Sequence, residues 1–93
     1  MFEWDETKNQ SNLIKHGLDF TLAVEVFSDS HAVVQFNREV NGEKRDQIIG
    51  KVSDNVVILF VVFTTRAQKI RIITARKARK KERTIYENQT RTD

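Results

Sequence analysis

The side chains most suited to chemistry are concentrated between residues 69 and 87. This stretch passes from a short β-branched run into a segment rich in Lys and Arg, with one central carboxylate, Glu82. Clustered guanidinium and ammonium groups bind the phosphates of a polyanion. A carboxylate among them either transfers protons or pairs with an arginine, because an unpaired buried charge is costly. The pattern predicts a polyanion-binding surface and leaves both roles of Glu82 open.

The net charge of +3 conceals an asymmetry along the chain. Residues 1–65 hold six Lys or Arg and ten Asp or Glu. Residues 66–93 hold ten Lys or Arg and only three Asp or Glu. A basic segment of this kind favours a polyanionic partner such as RNA, DNA or an acidic protein. The alternative is a solvated helix that only keeps the protein soluble.

Other chemistries lack their characteristic residues. The chain has no cysteine, which excludes disulfides, thiolate catalysis and Cys-ligated zinc. Its two histidines, His16 and His31, are far apart and have no ligand cluster beside them. We therefore predict neither a metal site nor a cofactor. The sequence also contains no Gly-rich phosphate loop and no Ser-His-Asp signature.

The length of 93 residues predicts a single domain with a modest core. We expect its ordered part over residues 2–88 and a tail over 89–93. The N-terminus is acidic and polar, unlike a secretory signal. The longest apolar run, residues 56–63, is too short to cross a bilayer as a helix. These features predict a cytoplasmic protein without membrane association.

Two helices are predicted at the N-terminus. Asp5 caps the first, which runs to His16 and stops at Gly17, with Leu13 and Ile14 as its thin apolar face. Residues 8, 12 and 16 recur at i, i+4 and i+8 and form a polar stripe. The second helix follows a cap at residue 19, carries apolar residues at positions 20, 23, 24 and 27, and ends at residues 28–30.

Four strands are predicted in the middle of the chain, over residues 31–38, 44–52, 56–63 and 69–74. Asn41-Gly42 is typical of a type I′ hairpin turn, and further turns are predicted at residues 53–55 and 65–68. Three short turns imply an antiparallel meander, with the apolar run 56–63 at its centre. Phe2 and Trp4 indicate either a short edge strand or an anchor. The predicted class is α+β: two N-terminal helices, a four-stranded antiparallel meander and a basic C-terminal helix.

The last helix is predicted to begin near Ala75. A wheel with 100° per residue puts one group of side chains towards the core: Ala75, Ala78, Glu82, Ile85 and Tyr86. A stripe of Arg76, Arg79 and Arg83 lies beside that sector, and Lys77 and Lys81 point away. In this arrangement the available ion-pair partners of Glu82 are Arg79, Arg83 and Arg71.

Five motifs carry a resemblance to a known family. In chain order they are FEWD, K-x₃-N-x₂-KHG, F-x₂-A-x₃-F, GEKR followed by IIG, and RIITARKARKKERTIYE. Together they resemble the BrnT family of bacterial toxins over residues 2–87, most specifically in R-I-I-[ST]-A-R-x-A-x₃-E-x₃-Y. Two positions depart from the pattern. Glu6 stands where relatives often have proline, and Asp46 stands where an aromatic often follows the arginine, which puts a base-stacking contact in doubt.

The resemblance implies a RelE-like fold and an intracellular ribonuclease that blocks translation. It also implies a BrnA-like antitoxin, a ribbon-helix-helix protein that neutralises the toxin in an assembly of two toxins and two antitoxins. DNA would be bound only through that antitoxin.

Metal-free cleavage of RNA needs acid–base groups and cations that stabilise charge on the phosphorane oxygens. The catalytic candidates are Arg71, Arg76, His16, Glu82 and Tyr86. The candidate RNA or phosphate contacts are Arg66, Arg79, Arg83, Lys8 and Lys80. The arginines at 66, 71, 76 and 79 would converge on one phosphate if the helix packed across the sheet.

Each candidate also has a structural interpretation. His16 could interact with the last carbonyls of its helix, Tyr86 could be a core aromatic with a satisfied hydroxyl group, and Lys8 could be solvated. An alternative function from another class is a non-catalytic module that grips RNA or an acidic partner with the basic helix.

Overall fold

A computed structural model describes residues 1–53 and 56–91 as a five-stranded sheet with helices on both sides. In chain order the elements are β1 (Phe2–Glu3), α1 (Glu6–His16), α2 (Phe20–Ala23), a 3-10 helix (Val24–Ser28), β2 (Val33–Val40), β3 (Glu43–Val52), β4 (Val57–Arg66), β5 (Lys69–Lys77) and α3 (Lys80–Arg91). The strand order is β1-β5-β4-β3-β2. The predicted α+β class is confirmed. The last helix extends into the predicted tail, and residues 92 and 93 lie outside the described part.

The prediction of a four-stranded sheet was wrong by one strand. Strands β2 to β5 form the antiparallel meander. β1 adds a fifth strand, which runs parallel to β5 with Phe2 opposite Ile70 and Glu3 opposite Arg71. Two residues are too few to show a strand period, and their partners lie at the other end of the chain. Local sequence therefore indicates a short edge strand here but not its pairing.

The central residues of the two described hairpin turns have positive φ. Asn41 and Gly42 have φ of 50° and 80°, which confirms the type I′ turn between β2 and β3. Ala67 and Gln68 also have positive φ, 48° and 69°, so the turn between β4 and β5 has the same hand without a glycine. The predicted turn at 53–55 falls partly on residues 54 and 55, which lie outside the described residues.

The predicted boundary between the last strand and the last helix was wrong. β5 continues to Lys77, and α3 begins only at Lys80. Ala75 and Arg76 pair with Val61 and Phe60 of β4. This pairing overrides the helix propensity of Ala, Arg and Lys. The helical wheel that placed residues 75, 76 and 78 on the last helix therefore does not apply.

β5 carries one extra residue. Ile72 lies opposite Phe63 and Thr74 lies opposite Val62, so Ile73 forms a bulge. In a regular strand, residues three apart point to opposite faces. The bulge places Ile72 and Ala75 in the same core cluster, and it thereby turns Arg76 to the other face.

Both faces of the sheet are covered by apolar packing. Leu59 and Val61 of β4 contribute to the larger core beneath α2 and the 3-10 helix, together with Phe20. The alternate residues of the same strand, Phe60 and Val62, contribute to a smaller core that includes Tyr86 and Ile49. The prediction that this strand is central and buried on both faces is confirmed.

The N-terminal helices have the predicted caps, but the buried face of α1 is polar. Asp5 accepts hydrogen bonds from the N–H groups of Thr7 and Lys8, and Gly17 ends the helix with φ of 71°. The predicted apolar face was wrong, since Ile14 is 87% exposed and Leu13 is also exposed. The second predicted helix is short: α2 ends after four residues and continues as the 3-10 helix.

Asn12 and Asn9 replace an apolar face on α1 because they satisfy backbone groups. The Asn12 side chain accepts from the Ala75 N–H at 3.1 Å and donates to the Ala75 carbonyl at 2.9 Å. It also donates to the Leu18 carbonyl. Asn9 accepts from the Phe20 N–H at 2.8 Å. The helix therefore closes the edge of β5 beyond the short strand β1.

We expect Asn12→Ala to destabilise the fold by about 2–4 kcal/mol, because it leaves buried backbone groups of Ala75 and Leu18 without partners. Thermal or urea denaturation measures the change. The matched control on the same helix is Ile14→Ala, which should change stability by less than about 0.5 kcal/mol despite removing an apolar side chain. Equal losses from the two variants would contradict the edge-closing role of Asn12.

Candidate active site

A cleft of about 180 Å³ opens between α1 and the second half of β5. Its lining residues are Lys8, Ser11, Asn12, Lys15, His16, Ile73 and Thr74. The polar stripe predicted on α1 faces into this cleft, because residues four apart share a helix face. The cleft thus gathers two lysines and the one histidine of the helix around a polar floor.

The floor of the cleft is rigid. The Thr74 hydroxyl group donates to the side-chain amide oxygen of Asn12 at 3.0 Å, and the Asn12 side chain is itself hydrogen-bonded to the β5 backbone. Each polar group of this floor is held by hydrogen bonds that also hold the sheet edge. A ligand in the cleft would therefore meet Asn12 and Thr74 in fixed positions.

His16 is half-buried at the last position of α1. Burial lowers the pKa of its imidazole, and the positive charges of Lys15, Arg76 and Arg79 lower it further. Within residues 1–53 and 56–91, the imidazole makes no hydrogen bond. The lowered pKa favours the neutral imidazole at pH 7, and its lone pair can accept a proton.

Arg76 projects from β5 towards α3 and is held on two sides. Its terminal nitrogens donate to the two carboxylate oxygens of Glu82, both at 2.7 Å. Its guanidinium group lies over the ring of Phe60, 4.2 Å from the centroid. A bidentate pair and a stacked face fix the direction of the guanidinium plane. The positive charge of Arg76 lowers the pKa of His16. Arg76 therefore contributes to the positive potential around that histidine.

Glu82 is the third residue of α3, and its carboxylate also accepts from the backbone N–H of Arg79 at 2.8 Å. This is the Glu half of a capping box. Burial raises its pKa, but the hydrogen bonds from Arg76 and the Arg79 backbone outweigh that effect and lower the pKa overall. The predicted side-chain partners of Glu82 were wrong, because its partner is Arg76. Its oxygens are occupied, so the geometry suits a clamp on Arg76 better than a proton acceptor.

Tyr86 is 3% exposed and lies in the smaller core. Its hydroxyl group donates to Asp29 at 2.7 Å. Burial and the Asp29 carboxylate raise the pKa of Tyr86 far above its usual range. Its contacts attach α3 to the loop before β2 and leave its hydroxyl group away from the solvent.

The remaining predicted arginines do not converge on one phosphate. Arg71 pairs with Glu3 at 3.3 Å, and Arg66 pairs with Glu43 at 2.6 Å. Arg71 and Arg76 are five positions apart along β5, which is roughly 15 Å. Arg66 and Arg71 therefore lie at one end of the sheet and Arg76 lies at the other.

The predicted contact residues on α3 differ in their surroundings. Arg79 and Lys80 are exposed at the start of the helix. Arg83 donates to the carbonyl of Ala78 at 3.0 Å and is directed back to the chain that precedes the helix. Of this group, Arg79 acts electrostatically on His16.

Sequence reasoning missed Lys15 and Thr74 as parts of the site. Lys15 falls outside the i, i+4 stripe, but it follows Asn12 by three residues, which is also a same-face spacing. Thr74 reaches the cleft because of the bulge at Ile73, and no local pattern marks that bulge. Among the described residues, no three His, Cys, Asp or Glu side chains are grouped to hold a metal ion. None of the helices in the described ranges is long and apolar enough to cross a membrane.

We expect Glu82→Gln to lower the stability of the folded state by about 2 kcal/mol, because a bidentate charge-assisted pair is replaced by neutral hydrogen bonds. The folded-state pKa of Glu82 lies below its ordinary value of 4.5. The stabilisation should therefore be present above about pH 4.5 and decline as pH falls through the folded-state value. Melting temperatures of both proteins across pH 3–7 test this prediction. Glu39→Gln, on an exposed strand position, is the matched control and should show no such difference.

Comparison with protein families places this site in a known context. A family model described as the ribonuclease toxin, BrnT, of type II toxin-antitoxin systems matches residues 4–82. The matched region includes α1, strands β2 to β5 and Glu82. Comparison with curated proteins gave no match. The chain belongs to the BrnT family of ribonuclease toxins of type II toxin–antitoxin systems.

Proposed function

We propose that the protein is an endoribonuclease that cleaves RNA without a metal ion, by attack of a 2′-hydroxyl group on the adjacent phosphorus. The observation that carries this proposal is a neutral His16 without a hydrogen-bond partner in the described chain, set in a cleft of positive charge. A neutral imidazole accepts protons, and the surrounding cations attract the RNA backbone. The family supplies the substrate class.

In the proposed reaction, His16 takes the proton of the 2′-hydroxyl group while the 2′-oxygen forms a bond to phosphorus. The bond between phosphorus and the 5′-oxygen breaks, and that oxygen receives a proton from the ammonium group of Lys8, which lines the same cleft. The products are a 2′,3′-cyclic phosphate and a free 5′-hydroxyl group. His16 returns its proton to solvent or to Lys8 before the next turnover.

The charge that builds on the phosphorane oxygens needs fixed cations. Arg76 and Arg79 suit this role because the positive charge of each lowers the pKa of His16. Glu82 supports Arg76 by holding its guanidinium plane. Lys15 adds a further positive charge beside His16. In this proposal Glu82 and Tyr86 are positioning residues and do not transfer protons.

Type II toxins act with an antitoxin partner, and we propose a BrnA-like ribbon-helix-helix protein in a 2:2 assembly. An acidic segment of the antitoxin would cover the cleft, since Lys8 and Lys15 are exposed at its lining and the exposed Arg79 acts electrostatically on His16. Charge complementarity of this kind speeds association and weakens with salt. DNA would be bound only through the antitoxin.

The first test uses purified protein, single-stranded RNA and EDTA. We expect cleavage products that end in 2′,3′-cyclic phosphate, and no cleavage of RNA with 2′-O-methyl groups. His16→Asn should reduce the rate at least about 100-fold, as expected for loss of a general base. His31→Asn is the matched control and should retain activity. Intact RNA with the unmodified protein, with ribosomes also supplied, would refute the proposal.

The second test follows the rate against pH. The rate should rise with pH and level off once His16 is neutral, with a midpoint below the ordinary histidine value of 6.5. Lys15→Gln removes a charge that lowers the pKa of His16, so it should move the midpoint upward. Lys81→Gln removes an equal charge from the exposed side of α3 and should leave the midpoint unchanged. Equal shifts from both variants would mean that net charge, and not this cleft, sets the profile.

A further inference from the structure

We propose that the open end of the sheet holds a second phosphate-binding subsite, formed by Arg38, Arg45 and Arg71. It would bind the backbone of single-stranded RNA several nucleotides from the bond that is cleaved. The inference deepens the proposed function and rests on it for the location of the cleaved bond. Its support comes from strand register, charge and burial at residues outside the His16 cleft.

Strand register aligns the three arginines across the sheet. Arg38 lies opposite Arg45, and Arg71 lies opposite Thr64. Asp46 lies opposite Phe63, so the next pair along the same strands is Arg45 with Thr64. Residues in register project from the same face at about 4.8 Å per strand. The row therefore lies on the face that carries Arg76 and α3, nearer the other end of the strands.

Two carboxylates compensate only part of the charge in this row. Glu3 pairs with Arg71, and Glu43 pairs with Arg66. The hydrogen bond from Arg66, with the charges of Arg45 and Arg71, lowers the pKa of Glu43, so these groups share one electrostatic neighbourhood. Four arginines thus meet two carboxylates.

Arg38 and Arg45 have the weakest internal partners. Arg45 approaches Glu43 only to 3.9 Å. Its Nε is buried without a hydrogen-bond partner, and its terminal nitrogens also make none to the described residues. Within residues 1–53 and 56–91, no carboxylate pairs with Arg38. Like charges directly opposite each other on a sheet are destabilising, and an anion bound between them removes that cost.

Phosphate groups suit this row of arginines better than other anions do. A guanidinium group offers N–H donors in a fork that matches phosphate, and a row of such forks matches a chain of phosphates. The distance from Arg76 to Arg71 is roughly 15 Å along β5. At about 3.4 Å per stacked nucleotide, that is roughly four nucleotides.

The kinetic test compares a short and a long substrate. For an RNA of about twelve nucleotides, Arg45→Gln should raise KM about tenfold with kcat unchanged. For an RNA of about three nucleotides, which does not reach the row, the same variant should behave as the unmodified protein. Lys44→Gln is the matched control, because it removes the same charge from the adjacent residue on the opposite face of β3. An equal effect of Arg45→Gln on both lengths, or of both variants on the long RNA, would overturn the subsite.

A binding test separates this inference from the proposed function. The His16→Asn protein is titrated with a 2′-O-methyl RNA of about twelve nucleotides, which is not cleaved. Adding Arg45→Gln should weaken binding and reduce the slope of log K against log salt by about 0.7. If Arg45→Gln weakens binding here while the unmodified protein, with His16 in place, cleaves no RNA, the subsite is retained and the nuclease mechanism is refuted. Unchanged binding in a protein whose cleavage depends on His16 would refute the subsite alone.

Two further measurements address misfolding of the Arg45→Gln variant and binding of an acidic protein in place of RNA. Arg38→Gln changes an exposed side chain and should reproduce the effect if Arg45→Gln fails to fold. Polyglutamate serves as the probe for an acidic protein. If Arg45→Gln weakens binding of polyglutamate but not of RNA, the row is a docking surface for an acidic protein and the phosphate subsite is wrong.

Discussion

The fold and its site depend on how the edge of β5 is closed. β1 pairs with β5 through only two residues, and beyond it the amide and carbonyl of Ala75 would face solvent or an apolar neighbour. Asn12 satisfies both with one side chain. The same hydrogen bonds set the distance between α1 and β5, and this distance creates the cleft beside His16. Structural and functional requirements therefore meet in one amide group.

A second principle is that carboxylates orient the arginines. Glu82 holds Arg76, Glu3 holds Arg71 and Glu43 holds Arg66. An arginine that is already held loses less conformational freedom when it binds phosphate. Glu3 and Glu43, from the acidic first part of the chain, thus pair with Arg71 and Arg66 of the basic last part. These pairs bring the two oppositely charged parts of the chain into contact.

The sequence indicated the caps, the type I′ turn and the central strand because each depends on residues close together in the chain. It also marked His16, Arg76 and Glu82. It did not show that Glu82 and Arg76 form a pair between a helix and a strand, because the residues from Ala75 to Lys77 have helix-forming side chains and become a strand only through β4. The burial of Asn9 and Asn12 was likewise hidden, since polar residues on a helix ordinarily indicate solvent. Long-range pairing decided each of these cases.

The bulge at Ile73 has a consequence for how the protein can change. Faces alternate along a strand, so the positions of Ala75 and Arg76 depend on the number of residues between Ile72 and the end of β5. Straightening the bulge without a change in chain length would carry Arg76 to the face beneath α2 and Ala75 to the face beneath α3, with neither residue altered. Deleting Ile73 would instead remove the bulge and keep both faces, because Ile72 and Ala75 would then lie two residues apart. The spacing of the chain encodes the site as much as its composition does.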